Sequence, residues 1–216
     1  MHHAVRRTGQ SATISIIALT VLFIILMLLY PPESYESAEK FISEFKIHDI
    51  MPAIPGLLIV LASLPLFAAM YFYASSERRI PALTGVLFGT GYLVCCGTGY
   101  FSQIGMTTRF LNESDKDVIS EYIMSNHGSF VYAIDNLGYM FLSLSFIAFS
   151  GIFSQHGLQS WIKTVFVIYG IAGLIGTVGY ITHYPLLENL LILSVIPYLT
   201  GIVLLFVEFS KAREYN

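Results

Sequence analysis

The sequence predicts an all-α, polytopic membrane bundle of six transmembrane helices, with two short interfacial helices in its outer loops. Six stretches are each apolar and long enough to cross a bilayer, which takes roughly 20 residues for a hydrocarbon core of about 30 Å. The composition agrees, since 55% of the residues are hydrophobic and only 12% are charged. The mean hydropathy of +0.69 is also that of a chain that lives in lipid.

The six predicted spans form a single domain over residues 1–216. They lie near residues 13–30, 54–73, 82–104, 130–153, 164–182 and 189–207. The first span is too long for a typical signal peptide and is followed by Pro31-Pro32 instead of a small-residue cleavage site, so it is interpreted as a retained anchor. Pro65 and Pro197 fall near the middle of the second and sixth spans and predict kinks there.

The distribution of Lys and Arg predicts the orientation, because these residues concentrate in cytoplasmic segments. With the N-terminus inside, the inner segments hold Arg6, Arg7, Arg78, Arg79, Lys163, Lys211 and Arg213. The outer segments hold Lys40, Lys46, Arg109 and Lys116. The sequence therefore predicts an integral protein of the cell membrane with both termini in the cytoplasm and two long loops outside. Its charge pattern gives no reason to expect a nucleic-acid partner.

The two long outer loops, residues 31–53 and 107–129, each contain apolar residues at helical spacing. These residues are Ala38, Phe41, Ile42 and Phe45 in the first loop, and Val118, Ile119, Tyr122 and Ile123 in the second. Such spacing predicts a short amphipathic helix at the membrane interface. The alternative is that both helices fold over the outer mouth of the bundle as a lid.

Glycines crowd the third and fifth spans. They are Gly85, Gly89, Gly91, Gly97 and Gly99 in the third span, and Gly170, Gly173, Gly176 and Gly179 in the fifth. Small residues let helix backbones approach closely in a membrane, so these two spans are predicted at the centre of the bundle. The same surfaces would alternatively serve a homo-oligomer or docking on a larger membrane complex.

Asp135 is the only formally charged residue within the predicted spans. A charged side chain at the centre of a transmembrane helix costs about 2.5 to 3.5 kcal/mol on insertion scales, so such residues face the protein interior and have partners. The polar residues expected at a similar depth are Tyr100, Gln103, Asn136, Tyr139, Tyr180 and His183. This set is interpreted either as a ligand site or as a hydrogen-bond network that fixes the helix register.

His48, His127 and His183 lie on the predicted outer side and are the candidate metal ligands, together with Asp135 or Glu188. They come from different segments and lack a local ligand spacing such as His-x-x-x-His. The sequence contains no P-loop, no Gly-x-Ser-x-Gly and no His-Glu-x-x-His. No cofactor or catalytic residue is predicted, and a non-enzymatic role is favoured over a membrane enzyme with a His/Asp metal site.

Three segments carry a resemblance to a known family. They are Tyr100-Phe101-Ser102-Gln103, the run Ala133-Ile134-Asp135-Asn136-Leu137-Gly138-Tyr139-Met140-Phe141, and the glycine series from Gly170 to Tyr180. Together they resemble a family of uncharacterised prokaryotic multi-pass membrane proteins, over about half of the chain. The resemblance implies a membrane fold of six to seven helices and points to Gln103 and Asp135. The family has no agreed activity to carry over.

The leading functional hypothesis is binding or transport of a small or lipid-like molecule through an outer-leaflet polar cavity. The cavity would be lined by Tyr100, Gln103, Asp135, Asn136, Tyr139, Tyr180 and His183. Asp135 would be the charge partner, and Gln103 and the tyrosines would orient the ligand. The alternatives are a structural or accessory subunit of a membrane complex and the metal-dependent enzyme.

Overall fold

A computed structural model describes residues 3–31, 34–110 and 116–211 of the protein. Over these residues the protein is an all-α bundle. Its helices are α1 His3–Leu29, α2 Ala38–Glu44, α3 Ala53–Tyr73, α4 Arg79–Phe110, α5 Lys116–Ser120, α6 Phe130–Ser150, α7 Gly157–Ile181, α8 Pro185–Leu193 and α9 Val195–Lys211. Short 3-10 turns cover Ile47–Asp49 and Ser76–Arg78. Six segments are long and apolar enough to cross a membrane, which confirms the predicted polytopic bundle.

The membrane-spanning helices form a closed ring. Each of α1, α3, α4, α6, α7 and α9 packs on the next, α9 packs back on α1, and α8 packs on α7. Gln10 near the start of α1 donates a hydrogen bond of 3.0 Å to the Ser210 hydroxyl near the end of α9. The end of the bundle at which α1 begins and α9 ends is called the N-terminal face below. The opposite end, where the two long loops lie, is called the loop face.

The helices extend beyond the predicted spans at most of their ends. Helix α1 begins at His3 instead of near residue 13, and α4 covers Arg79–Phe110 where the apolar run covers only residues 82–104. An apolar run shows which residues can lie in the hydrocarbon core of the membrane. The helix itself can continue past that run, because polar residues outside the core also form helical backbone hydrogen bonds.

The sixth span, predicted at residues 189–207 with a kink at Pro197, is found over Pro185–Lys211 and is interrupted close to that proline. Helix α8 ends at Leu193, α9 begins at Val195, and Ser194 separates them. Pro197 explains the position of the break, because it has no N–H to donate to the carbonyl four residues earlier and its ring crowds that carbonyl. Helix α3, by contrast, runs through Pro65 without interruption.

Both predicted loop helices are present, as α2 and α5, and they contact one another. The second loop is tied to the start of α6. The Ser129 hydroxyl caps α6 by accepting from the Tyr132 N–H at 3.1 Å, and it donates to the Ile123 carbonyl at 3.0 Å. The Glu121 carboxylate accepts from the Phe130 N–H at 2.9 Å. Ile123 is itself fully buried, so this loop is a packed layer on the loop face.

Large aromatic side chains fill the half of the ring nearer the N-terminal face. Phe146 and Phe166 are fully buried with their ring centroids 4.4 Å apart, and Phe67 and Phe149 stack at 5.8 Å. Phe153 makes an edge-to-face contact with Phe166 at 5.7 Å. This part of the interior is therefore an apolar plug.

The glycines of α4 accept these rings, so the predicted close packing is found, but α4 and α7 are members of the ring and do not occupy its centre. A Cβ built on Gly85 would lie 2.8 Å from the Phe149 ring, and one on Gly89 would lie 2.7 Å from the Phe67 ring. The Ser145 hydroxyl, buried on α6, donates to the Gly85 carbonyl at 2.7 Å. Because these two positions of α4 have no side chain, α6 lies close enough to hydrogen-bond to the α4 backbone.

The glycines of α7 pack against two different helices, α6 and α8. A Cβ on Gly170 or Gly173 would collide with Ile147 or Ser143 of α6. One turn further, a Cβ on Gly176 would lie 2.7 Å from the backbone nitrogen of Leu191 in α8. The shallow groove that the glycine spacing of three leaves on α7 is therefore occupied within the chain.

We expect Gly176→Ala to lower the free energy of unfolding by about 1–3 kcal/mol, because the added methyl meets the α8 backbone, which cannot rotate away. The matched control is Gly105→Ala on α4, where a Cβ would meet no described atom within 4 Å. That control should be neutral or stabilising by up to about 1 kcal/mol through helix propensity. Unfolding by sodium dodecyl sulfate in mixed micelles measures both, and equal effects of the two variants would contradict the packing described.

Candidate functional site

Asp135 lies on the side of α6 that packs against α4. It is five residues into the helix, or about 8 Å along the axis from the loop-face end. Its Cβ lies 4.0 Å from the position that a Cβ on Gly99 of α4 would take. The Cys96 thiol of α4 lies 3.6 Å from the Asp135 backbone carbonyl. The carboxyl group is therefore held between two helices that pack closely.

Two tyrosines lie beside Asp135 and are paired with each other. The Tyr100 hydroxyl of α4 and the Tyr139 hydroxyl of α6 are 3.0 Å apart. The Tyr100 ring rests on the bare backbone of Gly56 in α3, since a Cβ there would lie 2.9 Å from the ring. Three helices therefore position this group. Cys96, Tyr100, Asp135 and Tyr139 are called the Asp135 site below.

Two acceptor oxygens at this depth lack a donor. Asp135 Oδ1 and Asn136 Oδ1 are buried, and neither accepts a hydrogen bond from any residue in the described part of the chain. The Asn136 amide nitrogen is satisfied, because it donates to the Tyr132 carbonyl at 2.9 Å. Since about nine in ten buried polar groups in proteins are hydrogen-bonded, two adjacent unsatisfied acceptors point to a missing donor.

Tyrosines continue from the Asp135 site toward the middle of the ring. The Tyr92 and Tyr139 rings lie 6.2 Å apart, and the Tyr169 and Tyr198 rings lie 5.6 Å apart. Phe146 then contacts the Tyr169 ring at 5.0 Å. The interior thus changes from hydroxyl-bearing rings to the phenylalanine plug on going from the loop face toward the N-terminal face.

A second polar group, the Glu188 cluster, lies at the loop face and consists of His127, Tyr132, Tyr180 and Glu188. The Tyr132 hydroxyl donates to Glu188 Oε1. The His127 ring stacks on the Tyr132 ring at 4.4 Å, and His127 Nδ1 lies 3.8 Å from Glu188 Oε1. The Tyr180 ring meets the Tyr132 ring edge to face at 5.4 Å.

The residues predicted to line one cavity are therefore distributed over more than one place. Asp135, Tyr100 and Tyr139 come together, with Asn136 at the same depth and Gln103 half-buried about one turn beyond Tyr100 on α4. Tyr180 belongs to the Glu188 cluster. His183 is exposed in the turn between α7 and α8, where it adopts a φ of +53°.

The histidines considered as metal ligands are also separated. The His48 ring stacks on the Tyr30 ring at 4.6 Å, and His48 Nε2 lies 3.5 Å from Asp49 Oδ1. His127 contacts Tyr132 and Glu188 instead. Over residues 3–31, 34–110 and 116–211, no group of three His, Cys, Asp or Glu side chains is arranged to hold a metal ion.

A third polar cluster, at the N-terminal face, was missed by the sequence reasoning. Glu208 Oε1 of α9 accepts from the Tyr73 hydroxyl of α3 at 2.6 Å and from the Gln159 amide of α7 at 2.8 Å. The same amide nitrogen lies 2.7 Å from the Tyr73 hydroxyl. Glu208 falls one residue beyond the predicted end of the sixth span, and Gln159 falls before the predicted start of the fifth.

No family model matches the sequence, and no match is found among curated proteins or among solved structures. The resemblance to a family of prokaryotic multi-pass membrane proteins therefore stays a prediction.

The contact between Tyr132 and Glu188 should be measurable as a coupling free energy. A double-mutant cycle of Tyr132→Phe and Glu188→Gln should give about 0.6 kcal/mol, and no more than about 1.7 kcal/mol, the range typical of hydrogen bonds between membrane helices. The control cycle pairs Tyr132→Phe with Glu208→Gln at the other end of the bundle, where additivity within about 0.5 kcal/mol is expected. Equal coupling in the two cycles would show that the Tyr132–Glu188 contact contributes nothing specific.

Proposed function

We propose that this protein binds a small or lipid-like molecule whose polar end donates hydrogen bonds to the Asp135 site, as a receptor or a transporter. The observation that supports this most is the pair of buried acceptors without donors, Asp135 Oδ1 and Asn136 Oδ1. An unsatisfied buried acceptor costs about 1–3 kcal/mol. A ligand that supplies the donor recovers this free energy on binding.

The chemistry of the site favours a donor or a cation over an anion. A carboxyl group and two tyrosine hydroxyls belong to the Asp135 site, and neither Lys nor Arg is part of it. Hydrogen bonds to a charged group are about twice as strong as neutral ones, so a protonated amine fits Asp135 best.

The surroundings of the site favour an apolar body attached to that polar end. Beyond the tyrosines, the fully buried rings of Phe146, Phe149 and Phe166 close the interior toward the N-terminal face. Access is therefore expected from the loop face or from the membrane. With both termini in the cytoplasm, as the Lys and Arg distribution predicts, the site lies in the outer leaflet.

The alternative of an accessory subunit relied on glycine-rich helices that would dock on a partner. Those glycines already contact Phe67 and Phe149, and on α7 they contact α6 and α8. Substituting them would disturb the bundle itself. They therefore give no specific support to a docking role.

Binding can be tested with octylamine, octanol and octanoate as probes on the purified full-length protein. Octylamine should raise the melting temperature most, because only its protonated amine can donate a charged hydrogen bond to Asp135. A ligand at 100 times its Kd stabilises the folded state by about 2.7 kcal/mol. Asp135→Asn should weaken octylamine binding about tenfold, since it exchanges a charged acceptor for a neutral one.

The control variant is Glu208→Gln, which removes a carboxylate at the opposite end of the bundle and should leave octylamine binding unchanged. Isothermal titration gives the affinities, and size-exclusion chromatography establishes that each variant is folded. The proposal fails if octanoate binds as well as octylamine, or if Asp135→Asn binds octylamine like the wild type.

A further inference from the structure

A groove on the membrane-facing surface lies between α1 and α3, in the half of the bundle nearer the N-terminal face. Its volume is about 390 Å³. Arg7, Thr8, Ser11 and Ser15 line it from α1, and Ala62 and Pro65 line it from α3. The groove shares no residue with the Asp135 site, the Glu188 cluster or the Glu208 cluster.

The polar residues of the groove lie on the exposed side of α1, around the start of its apolar run. Arg7, Ser11 and Ser15 recur every four residues, which puts them on one stripe of α1, and all three are exposed. Thr13 and Thr20 lie on the bundle side of α1. Their hydroxyls donate hydrogen bonds of 2.8 Å to the carbonyls of Gly9 and Ile16 in the same helix. Within the described residues, Ser11 and Ser15 form no such bond, so their hydroxyls remain available to a molecule in the groove.

The residues that neighbour the groove lining along α1 and α3 are apolar. Ile14 of α1 and Leu61 and Leu64 of α3 expose 52%, 58% and 58% of their surface, as expected of residues that face lipid chains. Pro65, on the floor, has no N–H to donate to the Leu61 carbonyl, so the α3 backbone also presents an acceptor near this surface. The groove therefore joins a cationic end and a hydroxyl-lined wall, with apolar residues beside it.

We propose that this groove is a binding site for an anionic phospholipid of the leaflet at the N-terminal face. The Arg7 guanidinium, at the membrane surface, pairs with the phosphate in the forked geometry that suits phosphate oxygens. Thr8 and Ser11 donate to the phosphate and ester oxygens below it. From Arg7 to Ser15 the helix rises about 12 Å, so the acyl chain reaches the apolar floor at Ala62 and Pro65.

Charge argues for a lipid over a second copy of the chain. The spacing Ser11-x-x-x-Ser15 is also one that packs transmembrane helices against each other. A two-fold dimer through this stripe would, however, bring the Arg7 side chains of both copies to the same end of the α1–α1 contact. Like charges at that distance repel, and no described acidic residue forms an ion pair with Arg7 to offset this. An anionic headgroup supplies that missing negative charge.

Native mass spectrometry of the full-length protein in detergent tests the proposal with phosphatidylglycerol and phosphatidylcholine of identical acyl chains. The wild type should bind phosphatidylglycerol about fivefold more tightly, the contribution of one basic residue near a membrane surface. Arg7→Gln should remove this preference and Arg7→Lys should retain most of it. Arg109→Gln, the matched control at the loop-face end of α4, should leave the preference intact.

Ser15→Leu should fill the lower groove and weaken both lipids without changing their ratio, and circular dichroism establishes that each variant is folded. Glycerol phosphate at millimolar concentration should not compete, because it has no chain to bury. Equal binding of the two lipids by the wild type, or an unchanged preference in Arg7→Gln, overturns the proposal. A dimer that Ser15→Leu converts to monomer would also overturn it, by assigning the groove to a second copy.

Discussion

Close approach of helix α6 to both of its neighbours is the constraint on which the rest of the structure depends. On one side, Gly138 leaves room for the Cys96 sulfur and backbone of α4, and Ser145 reaches the Gly85 carbonyl. On the other side, Gly170 and Gly173 of α7 leave room for α6 side chains. In lipid there is little hydrophobic gain from bringing helices together, so van der Waals contact and such hydrogen bonds position them. Asp135 and Asn136 belong to this same helix, so the packing of α6 determines where they lie.

The sequence predicts the helices and their burial better than it predicts their partners. The apolar runs identify every span, because a bilayer requires continuous hydrophobic length, and the glycines of α4 and α7 identify the close contacts. Tyr100, Asp135 and Tyr139 were expected at one depth and do come together, since residue counting along a helix measures depth well. Tyr180 was counted at the same depth but contacts Tyr132, because rotation about the helix axis and the path of α8 are set by packing that hydropathy does not describe.

Glu208 was missed for a related reason, and Glu188 was considered only as an alternative carboxylate partner of the outer histidines. Glu188 and Glu208 lie just outside the apolar run predicted at residues 189–207, yet the helical segment from Pro185 to Lys211 includes both. Each carboxylate accepts from a tyrosine of a neighbouring helix, Tyr132 at one end and Tyr73 at the other. Hydrogen bonding to a neighbour is what allows a carboxylate to lie at the edge of a membrane bundle at moderate cost. A tyrosine near the end of a neighbouring span is the one feature of the sequence that hints at these pairs.

The carboxyl groups of Asp135, Glu188 and Glu208 differ in whether the described residues satisfy them. Glu188 and Glu208 are near the membrane surfaces and are satisfied by Tyr132, Tyr73 and Gln159, so fixing the ends of the helices accounts for them fully. Asp135 is deeper, and its Oδ1 has no donor in the described part of the chain although tyrosine hydroxyls are close by. A residue kept only for helix register would be expected to accept from those hydroxyls. The two hydroxyls pair with each other, and Asp135 Oδ1 keeps an acceptor position without a described donor, which is the observation on which the proposed binding role depends.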